Sequence, residues 1–255
     1  LLRPRRRTFV RAGWPALLGF LAAGVLADGE IDHARQYGEC MALAERNPEQ
    51  GFEAALGWRG LGGGDAADHC TAAALLGLKL YIEAANRFEA LAQRTKAAAV
   101  KAGLLGQAAQ AWLLAGRPER ADDVLTAALK LAPDDGDLLV DRSMARATMR
   151  RYGEAVADLD RAIRLAPRRA DAHAFRASAH RFLDRLDLAE ADVARALALD
   201  PRHPEALLER GILARLRGDD GGARRDWVQV LELAPGSAAA EAAQRNLELM
   251  DVKQK

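Results

Sequence analysis

Apolar residues recur along the chain at the three-and-four spacing of helices that bury one face. Val156, Leu159, Ile163 and Leu165 form one such stripe, and Val193, Ala196, Leu197 and Leu199 form the next. Each stripe runs into a proline. That residue lacks an amide hydrogen and pushes its predecessor out of the helical region, so each helix is predicted to stop there. The prolines keep a fixed step: Pro133, Pro167, Pro201 and Pro235 lie 34 residues apart. Ala121, Ala155, Ala189 and Ala223 keep that step too, as do Ala128, Ala162 and Ala196, with Val230 in the fourth place. A fixed period of this length marks a stacked-repeat architecture, in which no single hairpin can bury its apolar face alone. Upstream, the pattern predicts helices over 31–46 and 48–61, with Gly62-Gly63-Gly64 breaking the chain after them. Downstream, Ser237 is placed to cap a last helix through about Met250, with Ala239, Ala243, Leu247 and Met250 as its apolar seam.

The period and its small residues resemble the tetratricopeptide repeat. With the four prolines at position 32 of that unit, copies span 102–135, 136–169, 170–203 and 204–237. The small residues the family carries at position 8 fall on Ala109, Ser143, Ala177 and Gly211. The aromatic usual at position 4 is absent, since Leu105, Leu139, His173 and Leu207 stand there. A looser copy spans 65–98, with Tyr81, Ala84 and Phe88 in register and no closing proline. The resemblance implies an all-α, right-handed solenoid of stacked antiparallel helix pairs. It would hold about five repeats, a degenerate N-terminal pair over 28–64, and a capping helix and tail over 238–255.

Composition supports helix, with aromatics at 5% and few β-branched residues. The formal charge is +1, and Arg3, Arg5, Arg6, Arg7 and Arg11 all precede residue 12; taking five from that total leaves the rest at −4. Such a body has no electrostatic reason to hold nucleic acid. The basic start, the apolar run Trp14–Ala27 and the small residues before Asp28 read as a secretory signal over 1–27. The alternative is a membrane anchor over 9–27, retained uncleaved. Export points to a periplasm if the host is Gram-negative.

Candidate chemistry is sparse. The five histidines show none of the spacings of a committed zinc site, and GLGGGD lacks the lysine and spacing of a phosphate loop. No cofactor, metal or catalytic set is expected, and the chain reads as a non-enzyme. Arg142, Arg176 and Arg210 each precede an aspartate by 16 residues, namely Asp158, Asp192 and Asp226. Antiparallel helices can bring each arginine to its aspartate as an ion pair that fixes packing. Cys40 and Cys70 make an even count, which suggests a bridge in an exported protein. The resemblance puts them on neighbouring first helices, at a separation a disulfide can span.

In the family, first helices line a concave face that takes peptide ligands. Carried onto this chain, the ligand positions are Val140, Met144, Thr148, Ser178, Arg181, Phe182, Leu208, Ile212 and Arg215. The lysine and asparagine by which some members clamp chaperone tails are missing. The expected function is therefore a protein-binding scaffold or adaptor that holds an extended peptide or amphipathic helix from a protein partner. A membrane-anchored envelope assembly factor and a self-associating structural protein are the alternatives.

Overall fold

A computed structural model describes residues 32–252, and the signal or anchor expected before residue 28 lies outside them. The described residues form helices joined by short turns. The chain divides after Lys79 into two compact units, inside the looser copy expected at 65–98, and each unit is described by itself.

The N-terminal unit holds α1 (His33–Arg46), α2 (Pro48–Gly60) and α3 (Gly64–Gly77), which pack on one another. Asp32 caps α1 by accepting from the Arg35 amide. Asn47 then ends α1 and caps α2, whose first residue is Pro48. The core is small-residue packing around Trp58: Ala44, Ala55, Ala67 and the two cysteines. Cys40 and Cys70 are bonded, with their Cα atoms 6.1 Å apart, and join α1 to α3. Closing this 30-residue separation is worth roughly 3–4 kcal/mol through the unfolded chain. Two histidines serve this packing. The Trp58 indole donates to His33 Nδ1 at 3.1 Å, and the Tyr37 hydroxyl lies 3.0 Å from His69 Nδ1.

The C-terminal unit runs from α4 (Tyr81–Arg94) and α5 (Ala98–Leu114) through α6 (Pro118–Leu131), α7 (Gly136–Thr148) and α8 (Tyr152–Leu165). It continues with α9 (Ala170–Phe182), α10 (Leu186–Leu199), α11 (Pro204–Leu216), α12 (Asp220–Leu233) and α13 (Ala238–Val252). Each helix packs on the next, and α5, α7, α9, α11 and α13 also touch in succession. Pro133, Pro167, Pro201 and Pro235 each stand two residues past a helix end. Ala121, Ala155, Ala189 and Ala223 are all fully buried, as are Ala128, Ala162, Ala196 and Val230. A methyl at these places lets helix backbones close in without a cavity. Ser237 accepts from the Ala240 amide at 3.1 Å and caps α13.

The turn inside each repeat carries a constraint of its own. Gly116, Arg150, Asp184 and Gly218 stand at one repeat position, and all four have positive φ, between 57° and 85°. Only two are glycine, so Arg150 and Asp184 hold a left-handed conformation that costs an L-residue roughly 1 kcal/mol. A second constraint lies at Gly211. The buried Trp227 indole crosses it and donates to the Leu208 carbonyl at 3.3 Å. A Cβ at Gly211 would come within 2.4 Å of Trp227 Nε1. The Gly211→Ala variant should therefore lose about 1–3 kcal/mol of stability, read as a lower urea midpoint, although the other three copies carry Ala or Ser there.

Candidate functional site

The 16-residue pairs come together with one geometry. Arg142 Nε and Nη2 donate to Asp158 at 2.9 and 2.6 Å. Arg176 donates to Asp192 at 2.8 and 2.6 Å, and Arg210 to Asp226 at 2.8 and 2.6 Å. Each is a two-pronged charge-assisted contact from a first helix to the second helix of its own repeat, and the three aspartates are buried. The remaining edge of the guanidinium is used to join repeats. Arg142 Nη1 donates to Thr126 of α6 at 3.2 Å, and Arg176 Nη1 to Asp160 of α8 at 2.7 Å. Ala194 stands at that position in α10, so Arg210 has no such link, and its side chain is 49% exposed against 13% and 22% for the other two.

Asp192 is the most crowded rung. His173 Nδ1 lies 3.2 Å from Asp192 Oδ1, and His180 Nε2 lies 3.9 Å from Oδ2. The hydrogen bonds that Arg176 donates to Asp192 hold its guanidinium above its ordinary range. Burial pulls the His180 imidazole below its usual range, and Arg176 and Arg185 push the same way against Asp192. His180 Nδ1 is buried without a hydrogen bond.

The first-helix face differs from the sequence expectation. Val140, Met144 and Leu208 are 0%, 7% and 6% exposed, so these three belong to the core and not to a ligand surface. The cause is the side-by-side contact of α5, α7, α9 and α11, which closes over those positions. Ile212 is half-buried against the cluster that contains Trp227 and Leu247. Arg181 is turned inward too. It donates to Glu209 at 2.7 and 3.1 Å, and so pins α9 to α11. Glu209 is itself buried and was not among the expected residues. A spacing of 28 is no multiple of the repeat, which hides this pair from a periodic reading. Arg215 Nη1 lies 3.7 Å from Asp220 Oδ1.

What remains accessible is a rim at the C-terminal ends of the first helices. Phe182 is 52% exposed and Leu216, one repeat on, is 60% exposed. Phe182 is stacked on Tyr152 with ring centroids 4.6 Å apart and planes 3° from parallel. The Arg181 guanidinium sits 4.2 Å from the Phe182 ring. A stacked ring with a fixed rotamer offers apolar area at low entropic cost. Thr148 and Ser178 flank this rim, with the Thr148 hydroxyl donating to the Met144 carbonyl. Among the described residues no group of histidine, cysteine and carboxylate side chains is arranged to hold a metal.

Two outcomes follow from the rungs. Arg176→Met strands a buried carboxylate and should cost about 3–5 kcal/mol, while Arg210→Met, at the more open rung, should cost about 1–2 kcal/mol; urea midpoints check the order. Burial lowers His180 in the fold, so its contribution is complete above its unfolded value near 6.5 and is lost as pH falls. The thermal midpoint should fall more steeply between about pH 7 and about pH 5 in the wild type than in His180→Gln.

No protein-family profile and no curated protein matches the sequence. Solved structures do match its fold. PilF of Pseudomonas aeruginosa is 17% identical with a TM-score of 0.61, over 84% of this chain and 97% of its own. TTC0263, a thermophilic TPR protein of Thermus thermophilus, is 23% identical with a TM-score of 0.58, over 70% of this chain and 98% of its own. YrrB, a TPR protein with an unusual peptide-binding site, is 18% identical with a TM-score of 0.50, over 70% of this chain and 91% of its own. The 34-residue period, the buried alanine registers and these likenesses agree: the chain is an all-α protein of the tetratricopeptide-repeat fold.

Proposed function

We propose that the protein is a non-catalytic interaction scaffold that captures a segment of a protein partner along the exposed rim of its first helices. The observation that carries this is Phe182, a half-exposed aromatic held rigid by Tyr152 and Arg181 where a packing role would have buried it. Leu216 extends the apolar strip by one repeat, and Thr148 and Ser178 supply hydroxyl groups beside it. An extended peptide or the apolar face of a helix suits such a strip. YrrB, of like fold, is described as having a peptide-binding site. The Cys40–Cys70 bond supports an oxidising compartment, and with it an exported, periplasmic protein. No helix among the described residues is long and apolar enough to cross a membrane, so an anchored form would depend on residues 9–27.

The test is cross-linked capture from native envelope extract with the wild type and with a Phe182→Glu, Leu216→Glu variant. Both should show the same helical content, and the variant should retain less than about a tenth of any partner the wild type enriches, the scale of losing an interface anchor. Equal recovery would move binding off this rim. The buried Met144 is the contrast: Met144→Glu should cost about 3 kcal/mol or more in the fold itself, seen as a lowered thermal midpoint.

A further inference from the structure

We infer a second docking surface, on the outer side of the repeats, where Arg168 and Arg195 together receive the carboxylates of an acidic protein segment. Two successive repeat junctions differ in charge. At the first complete junction, Arg161 of α8 reaches back to the preceding turn. It donates to the Pro133 carbonyl at 2.8 Å and lies 3.5 Å from Asp134. One repeat further on, the two positions held by Arg161 and Asp134 are held by Arg195 and Arg168. The two positions that carry opposite charges at one junction carry like charges at the next. Both arginines are exposed, and neither has an ion-pair or side-chain hydrogen-bond partner among the described residues.

The surroundings do not neutralise them. Asp160 of α8 is taken by Arg176. Asp200, at the end of α10, accepts from the Arg202 backbone amide. Arg164 and Arg202 are also exposed beside the pair, and Leu165, 45% exposed, adds an apolar contact. A fork of two guanidinium groups is suited to carboxylate, which each can bind with two donors. The basic run is short. The position of Arg161 and Arg195 reads Ala127 before them and Gln229 after them, and that of Arg168 reads Asp134 before and Gly236 after Arg202. The doubly basic pair occurs at one junction, which favours a few acidic side chains over a long polyanion or a lipid surface. This surface lies on the second helices and their turns, so it does not depend on the rim of Phe182.

The test is anisotropy titration of a fluorescein-labelled oligoglutamate peptide with the full chain at low salt. The wild type should bind, and added salt should weaken binding. Arg168→Asp rebuilds the Arg161–Asp134 arrangement. It should weaken binding about tenfold or more and, by removing a like-charge contact, raise the thermal midpoint by about 1–3 °C. Arg245→Asp, the same charge change on α13, and Phe182→Glu should both bind as the wild type does. Absence of binding by the wild type, or equal weakening by Arg168→Asp and Arg245→Asp, would overturn the inference. So would stronger binding to phosphatidylglycerol vesicles than to the peptide with the same arginine dependence, which would make the surface a lipid contact.

Discussion

Close approach of helix backbones is the constraint on which the C-terminal unit rests. Two alanine registers, fully buried in every copy, set how near a second helix can come to its first helix and to the next repeat. Seven of the eight places in the four complete copies hold alanine, and Val230 takes the eighth. A larger exchange of volume occurs one turn away. Where Trp227 replaces the aliphatic residue of the other copies, the facing position has shrunk to Gly211. The volume is exchanged across the interface and the helix spacing is kept.

Polar groups inside such tight packing must be paired, and the arginine rungs show how. Each aspartate is shielded by methyl-lined helices and meets a guanidinium that satisfies both of its oxygens. The arginine is long enough to serve two helices and to hold the repeat before it. The rungs therefore couple neighbouring repeats as well as halves of one repeat, though not at every junction. The partner in the preceding repeat is a hydroxyl at Arg142, a carboxylate at Arg176 and nothing at Arg210. In a linear array stability is carried by such nearest-neighbour terms, and at the last junction the Arg181–Glu209 pair supplies the link that the rung lacks.

Much of this was legible in the sequence because repetition converts spacing into contact. A 34-residue step placed the buried alanines, and a 16-residue step between residues of opposite charge placed the rungs. The depth of burial was not legible. Val140, Met144 and Leu208 stand at positions that face a ligand elsewhere, but how far adjacent first helices close over them depends on every side chain between those helices. The left-handed turn was half-hidden, since Arg150 and Asp184 take a conformation that only Gly116 and Gly218 advertise. The Arg181–Glu209 pair was hidden outright, because it joins different positions of different repeats and occurs at one junction.

That last contact bears on how a repeat array acquires a specific site. Features present in every copy, such as the alanines, build the scaffold and cannot mark one place along it. Recognition has to come from what breaks the repetition. On the first-helix side the break is Phe182, where neighbouring copies carry Thr148 and Leu216, and Arg181 is drawn to Glu209 so that its guanidinium backs the ring. On the second-helix side the break is Arg168, which stands where the preceding copy has Asp134. Arg168 lies at the turn that leads into the copy spanning 170–203 and Phe182 at the turn inside it, and this is the copy whose buried aspartate also gathers two histidines. The same copy thus carries the least regular core and the least regular surfaces. This is the arrangement expected if selection has worked on one repeat for binding while its neighbours kept the register.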